Sequence, residues 1–135
     1  MIEIYSQKKS NQLLHIVNKL EPQKGREALV GSENFLQVMT LSLNAGQSFP
    51  AHKHIWKNLE GAKTIAQESW VVISGKIKVD FFDIDDTFLC SYDLSAGDAS
   101  ITLFGGHSYQ VLENSLVYEF KSGPYLGQDK DKVFI

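Results

Sequence analysis

The chain has 135 residues, a net charge of −3 and a hydrophobic fraction of 43%. Its scattered charges argue against the clustered basic face that nucleic-acid binding requires, and no apolar run approaches the about 18 residues of a membrane-spanning helix. The length predicts a single domain over residues 1–135. A lone cysteine, Cys90, excludes an internal disulfide and a thiolate zinc cluster. With no signal-peptide pattern at the N-terminus, these features predict a cytoplasmic protein.

Strand patterns dominate the chain from the N-terminus onward. Residues 11–22 fit either a short amphipathic helix or an edge strand, and the pattern leaves both open. Residues 35–43, "FLQVMTLSL", alternate in side-chain direction as a strand does. In "KIKVDFFDI" the apolar Ile77, Val79 and Phe81 share one face, which indicates a half-buried strand.

The second half of the chain adds turns at regular intervals. "DIDD" predicts a hairpin turn before "TFLCSYDL", and residues 96–98 predict a second turn. "HSYQVLENSLVYEFKSG" is predicted to be another hairpin, turning at residues 113–115. The tail from residue 123 onward is predicted to be an irregular strap with an apolar end. Strands at this spacing are typical of an antiparallel sandwich or barrel, so the fold class is all-β.

Two of the chain's four histidines, His52 and His54, stand one residue apart in "FPAHKHI". In an extended segment both side chains point to the same face. Two neutral imidazoles so placed can chelate one divalent metal such as Zn, Cu, Fe or Ni. A solvated pair of histidines in a loop is the alternative.

The surrounding residues resemble the first motif of the cupin family, which is Gly, five residues, His-x-His, a short gap, Glu, six residues and Gly. Here the matching positions are Gly46, His52, His54, Glu68 and Gly75, and both outer intervals agree. The gap between His54 and Glu68 holds "IWKNLEGAKTIAQ", longer than the three or four residues usual in the family. Loops tolerate such insertions at small entropic cost.

The second cupin motif matches less well. In "GDASITLFGGH", Leu103 replaces the expected Pro, and His107 stands one position early. Together the two motifs imply an antiparallel cupin jelly-roll barrel with its core over about residues 35–120. The resemblance further implies that His52, His54, Glu68 and His107 hold one divalent metal ion, either Zn, Fe, Mn or Ni. Histidines that line a polar pocket without metal are the alternative.

The strand pattern also suggests residues around such a site. Trp70 is predicted to lie on the same face of its strand as Glu68, and Tyr109 on the same face as His107. Tyr109 would then serve either as a proton donor or as a hydrogen-bonding residue in the wall of the pocket. Aromatic and basic side chains typical of a ligand pocket mouth complete the prediction: Trp56, Lys63, Trp70 and Tyr118.

The cupin resemblance implies several functions, because this fold hosts many chemistries. The main expectation is a metal-dependent isomerase or epimerase whose small-molecule substrate is a sugar or sugar nucleotide. In some ketoisomerase-like relatives, histidines act as acid–base groups without metal, which would make His52 and His54 catalytic. An Fe(II)-dependent oxygenase and a non-catalytic metal- or ligand-binding module are the alternatives. The resemblance also implies a homodimer formed through terminal strands.

Overall fold

Strands make up nearly all the regular structure of the chain, as a computed structural model shows for residues 1–19, 25–59 and 61–135. A single short helix, α1 (Gln128–Asp131), lies near the C-terminus of the described residues. The strands in chain order are β1 (Ile2–Tyr5), β2 (Leu13–Val17), β3 (Gly25–Ala28), β4 (Leu36–Leu43), β5 (Ser48–His54), β6 (Lys57–Leu59), β7 (Ala62–Thr64), β8 (Glu68–Ser74), β9 (Lys76–Phe82), β10 (Phe88–Ser95), β11 (Ala99–Thr102), β12 (Gly106–Val111), β13 (Ser115–Ser122) and β14 (Lys132–Phe134).

Two five-stranded antiparallel sheets form the body of the fold. One has the order β10-β9-β12-β5-β14 and the other the order β11-β8-β13-β4-β3. Consecutive strands often enter opposite sheets, as β8 and β9 do, and this is the pattern of a jelly roll. Two further pairs, β1-β2 and β6-β7, lie outside these sheets. Within the described residues, no helix is long and apolar enough to cross a membrane.

The core lies between the inner faces of the two sheets. One sheet supplies Ile77, Val79, Tyr109 and Val111, and the other supplies Leu41, Leu43, Trp70, Val72 and Val117. These positions alternate with exposed or half-buried ones along each strand, as the two-residue period of a strand requires. The predicted inward direction of Ile77 and Val79 is therefore confirmed.

Two local predictions are resolved by the strand pairing. Leu13–Val17 is a strand paired with Ile2–Tyr5, which settles the choice left open for residues 11–22, although 20–22 lie outside the described residues. The hairpin predicted for residues 107–123 is wrong: the chain turns there, but β12 pairs with β9 and β5, whereas β13 pairs with β4 and β8. The segment is a corner between sheets, because alternation indicates a strand but not the sheet that it joins.

The predicted strap at the C-terminus is more regular than expected. Its last residues form β14, which pairs with β5 of the same chain and places Phe134 opposite His52. A Cβ atom on Gly106 would contact the Ile135 side chain, so the apolar end of the tail packs against β12. The tail closes one end of the sandwich from within the chain.

Gly75 and Gly46 allow a test of this packing. Both have a positive φ, +83° and +87°, which costs a residue with a side chain about 1–2 kcal/mol. A Cβ atom at Gly46 meets nothing within 4 Å, whereas at Gly75 it collides with the backbone of Asn114 and Ser115. We expect Gly75→Ala to lower the free energy of unfolding by about 1–3 kcal/mol more than Gly46→Ala, measured by urea denaturation. Equal losses would contradict the close approach at this corner.

Candidate metal centre

Four side chains with metal-binding groups meet inside the sandwich. His52 and His54 lie on the inner face of β5, and His107 lies on β12 directly opposite His52. Glu68 reaches them from the start of β8 in the facing sheet. All four are buried, and His107 has no exposed surface. His52 and His54 thus share one face of β5, as the alternation of side chains along a strand predicted.

The donor atoms of these four side chains all lie within 4.8 Å of one another. His107 Nε2 lies 3.2 Å from His52 Nε2 and 3.3 Å from Glu68 Oε1. His54 Nε2 lies 3.3 Å from Glu68 Oε2. Ligands at about 2.0–2.2 Å from one zinc ion are separated by up to about 4 Å, so a small contraction would bring this set around a single ion.

Each imidazole is held by its second nitrogen. The Nδ1 atoms meet the carbonyl oxygen of Pro50 at 2.9 Å (His52), Oγ1 of Thr102 at 2.9 Å (His107) and the backbone carbonyl oxygen of Asp131 at 3.2 Å (His54). The carboxylate oxygen Oδ2 of Asp131 lies 3.3 Å from the same nitrogen of His54. Carbonyl and carboxylate oxygens only accept hydrogen bonds, so Nδ1 of His52 and His54 donates. Their Nε2 lone pairs then face the cluster, as in metal sites where an oxygen fixes the outer nitrogen of a ligating histidine.

The donor set fits a divalent ion on two further observations. His54 Nε2 is buried without a hydrogen-bond partner, because its approach to Glu68 lacks hydrogen-bond geometry. His52 Nε2 and His107 Nε2 lie 3.2 Å apart, close enough for both to ligate one ion. A shared cation would satisfy all three atoms. Imidazole and carboxylate ligands suit Zn, Fe, Mn and Ni alike, so the set leaves the metal open.

The electrostatics of the cluster also favour a cation. Burial lowers the pKa of His52 to about 4, which keeps its ring neutral and free to ligate. Burial also opposes the charge on His54, but the nearby carboxylates of Asp131 and Glu68 outweigh it and raise the pKa of His54 to about 9. Against the effect of burial, the imidazoles of His107 and His54 beside it hold the pKa of Glu68 well below its usual value. Without metal these carboxylates keep a proton on His54, so binding of a divalent ion must release that proton.

The carboxylate behind His54 was not identified from the sequence. Asp131 is almost completely buried and accepts hydrogen bonds from Lys57 Nζ at 2.7 Å and from Lys121 Nζ at 3.0 Å. Burial raises the pKa of Asp131, but hydrogen bonds from His54 and Lys57 outweigh it and keep that pKa well below its usual range. Lys57, in the long gap between His54 and Glu68, is buried and also donates to the carbonyl of Pro124 at 2.9 Å.

Two of the predicted site residues are in the core beside the cluster. Trp70 stacks on Tyr109 with ring centroids 3.9 Å apart, and its Nε1 donates to Glu68 Oε1 at 3.0 Å. The Tyr109 hydroxyl pairs with Ser100 Oγ at 2.9 Å, and burial raises its pKa. This placement favours the hydrogen-bonding wall over the proton donor for Tyr109. Trp70 thus orients Glu68.

The structure does not bring the other three predicted pocket residues to the cluster. Tyr118 lies on the outer face of β13, where its hydroxyl accepts a hydrogen bond from Asn18 at 3.0 Å. Trp56 is 59% exposed and lies beside Phe104, and Lys63 is exposed on β7. The sequence could not place Tyr118, because "SLVYEFKS" carries large side chains on both faces and its apolar pattern does not identify the inner one.

A cavity of about 330 Å³ opens next to the cluster, between the inner face of β13 and the C-terminal tail. Its charged lining consists of Arg26, Glu119, Lys121 and Lys132. Lys132 Nζ lies 3.5 Å from His52 Nε2, which joins the cavity to the histidine cluster. The parity of β13 places Glu119 on the same face as buried Val117, and this is the sequence signal that could have identified it.

No protein-family model and no curated protein matches the chain. Several solved structures share its fold. The capsular polysaccharide assembling protein CapF from Staphylococcus aureus matches with a TM-score of 0.66 and 16% identity, over 89% of this chain and 32% of CapF. KdgF from Halomonas sp. matches with a TM-score of 0.57 and 21% identity, over 80% of this chain and 87% of KdgF. A variant of oxalate decarboxylase from B. subtilis matches with a TM-score of 0.59 and 19% identity, over 84% of this chain and 29% of that one.

The chain thus spans about a third of the length of CapF, which has also been crystallised with the inhibitor 3-isopropenyl-tropolone. These structural neighbours are cupins, and their identities lie at a level where the likeness concerns the fold. The two antiparallel sheets of the chain form the same jelly roll. The chain therefore has the cupin fold, with a buried cluster of three histidines and one glutamate that fits a divalent metal ion.

Proposed function

We propose that the chain binds one divalent metal ion through His52, His54, Glu68 and His107 and acts as an isomerase or epimerase on a sugar. The convergence of three imidazole nitrogens and one carboxylate oxygen within 4.8 Å supports this proposal. Four protein ligands leave open positions on an ion that takes five or six, as a catalytic site requires. The neighbouring cavity offers a place for a small molecule.

A bound divalent ion supplies a Lewis acid that polarises a substrate carbonyl. The protein holds the ligands in place, because the Nδ1 contacts fix His52 through Pro50 and His54 through Asp131. Trp70 restricts Glu68 in the same way by donating to Oε1. The rigid strands β5 and β8 thus position the site before substrate arrives.

Isomerisation next to a carbonyl also requires a group that accepts and returns a proton. Glu119 is the candidate that the cavity offers, since it is buried in the wall and burial raises its pKa. Its carboxylate is oriented by Arg26, whose Nη2 donates to both oxygens at 3.0 and 3.3 Å. We assign Glu119 this role in place of Tyr109, whose hydroxyl is paired with Ser100.

The proposal is tested first by metal content. Protein purified without chelators or metal-affinity columns is expected to contain about one equivalent of a divalent metal by mass spectrometry. The double variant His52→Ala, His54→Ala is expected to contain none, because it loses two of the four ligands. His15→Ala is the matched control, since His15 is exposed on β2 and should retain the parental metal content.

The reaction class is tested on the same protein. Metal-loaded protein is incubated in deuterated water with a panel of aldoses, ketoses and sugar nucleotides, and deuterium incorporation beside the carbonyl is followed by NMR. Absence of metal from the parent protein, even after incubation with Zn, Fe, Mn and Ni salts, would refute the metal site. Tight ligand binding without exchange or turnover would instead identify a binding module.

We also propose that the chain forms a homodimer and acts in the cytoplasm. The hairpin β1-β2 supports the dimer, because its apolar side chains are exposed on both strands, among them Ile2, Ile4, Leu14 and Val17. Contiguous exposed apolar surface of this kind often marks a protein–protein contact. The proposal for the cytoplasm still rests on the sequence.

A further inference from the structure

The cavity beside the histidine cluster has an unusual charge distribution. Three basic side chains, Arg26, Lys121 and Lys132, line it together with a single carboxylate, that of Glu119. Two of the bases already have a carboxylate partner, since Arg26 pairs with Glu119 at 3.0 Å and Lys121 pairs with Asp131 at 3.0 Å. The third, Lys132, differs from them.

Lys132 has no carboxylate within ion-pair distance among the residues that the structure describes. Its Nζ lies 3.5 Å from His52 Nε2 and 5.8 Å from the centre of the Phe134 ring. Its pairing with β5 as the first residue of β14 fixes its backbone opposite His54. The ammonium group is therefore held at the boundary between the cavity and the proposed metal ligands, where it contacts whatever enters.

The charges around the site do not balance once a metal is considered. With His54 neutral as a metal ligand, the charged groups around the site comprise four cations and three carboxylates: Arg26, Lys57, Lys121 and Lys132 against Glu68, Glu119 and Asp131. A divalent ion adds two positive charges to this excess. Buried charge without compensation is costly, so the occupied site favours a ligand that brings negative charge.

The volume of the cavity limits the size of that ligand. About 330 Å³ lies at the lower end of the about 300–1,000 Å³ typical of ligand pockets. The polar side chain of Gln37 and the apolar side chain of Met39 complete the inner wall beside Glu119. This space suits a small molecule rather than a nucleotide.

We propose that the ligand of this cavity is a small organic anion whose carboxylate or phosphate group binds Lys132 beside the metal. Arg26 at the outer wall is placed to meet a second polar group of the same molecule. This inference rests on the proposed metal-dependent function and narrows its substrate from sugars in general to anionic ones. It assigns Lys132 as the residue that selects for charge.

Isothermal titration calorimetry of zinc-loaded and metal-free protein with malonate, inorganic phosphate and neutral malonamide tests the inference. We expect an anion to bind with a stoichiometry of about one, and Lys132→Met to weaken binding by about tenfold or more, the usual effect of losing a charged hydrogen-bond donor. Lys132→Arg keeps the charge and should retain binding. Lys130→Met is the matched control, because Lys130 is exposed on α1 and should not affect binding.

The outcomes separate the two proposals. The anionic-ligand inference would be overturned if the parent and Lys132→Met bound the anions with equal affinity, or if malonamide bound as tightly as malonate. The metal site would still stand in that case, because the metal content tests it separately. Absence of metal together with Lys132-dependent anion binding would refute the metal function alone. The tighter of malonate and phosphate identifies the anionic group. Thermal unfolding of each variant, followed by circular dichroism, establishes that the comparison is made on folded protein.

Discussion

Asp131→Asn is expected to weaken metal binding by about 10–100-fold and to lower the free energy of unfolding by about 3–5 kcal/mol. The first effect follows because the Asp131 carboxylate lies 3.3 Å from Nδ1 of His54, beside the backbone carbonyl that accepts from this nitrogen at 3.2 Å. Its negative charge strengthens His54 as a metal ligand. The second follows because the substitution leaves Lys57 and Lys121, with side chains only 5% and 14% exposed, without their shared carboxylate. Calorimetric zinc titration and urea denaturation measure the two effects separately.

Two further variants make this result specific. Asp129→Asn changes an exposed carboxylate of the same helix and should leave both quantities unchanged. Lys57→Met in combination with Asp131→Asn removes one of the two lysine charges that the single substitution leaves unpaired. The double variant should therefore recover part of the lost stability but not the metal affinity. If Asp131→Asn left the free energy of unfolding unchanged, Asp131 would not form a buried ion-pair cluster with Lys57 and Lys121.

Trp70→Ala is expected to lower the free energy of unfolding by about 3–5 kcal/mol, in the range of a large buried aromatic truncation. Trp70 is 2% exposed, stacks on Tyr109 and meets Phe49 edge-on with ring centroids 5.0 Å apart. Trp56→Ala is the matched control, since that side chain is largely exposed and its loss should change stability by less than about 0.5 kcal/mol. Urea denaturation followed by circular dichroism compares the two.

Trp70→Phe separates packing from the hydrogen bond. It keeps an aromatic ring beside Tyr109 but removes the donor to Glu68, so it should lower metal affinity with a smaller loss of stability than Trp70→Ala. Equal losses of stability from Trp70→Ala and Trp56→Ala would show that Trp70 is not the core residue described above.

The inner faces of the strands were predictable because side-chain direction alternates along each strand. One residue between His52 and His54, and one between Glu68 and Trp70, suffice to place each pair on a common face. The pairing of strands was less predictable. Residues 113–115 turn the chain as expected, but whether β13 returns beside β12 or crosses to the other sheet depends on packing throughout the sandwich.

The site residues that the sequence did not reveal escaped prediction for a different reason. Asp131 and Lys132 lie in "DKDK", a run typical of a solvated surface, and only the pairing of β14 with β5 buries the first and directs the second at His52. That contact joins segments far apart in the chain, which no local pattern reveals. Arg26 and Glu119 likewise meet only because β3 and β13 flank β4.

The three histidines differ in how far along the chain their supporting oxygens lie. His52 and His107 are held by residues only two and five positions away, so their orientation is set by the local course of the chain. His54 depends on a residue 77 positions away. Docking of the tail and binding of a metal are therefore linked equilibria, and each must favour the other by the same free energy. A change anywhere in the tail that weakens docking would thus be transmitted to the metal without touching a ligand.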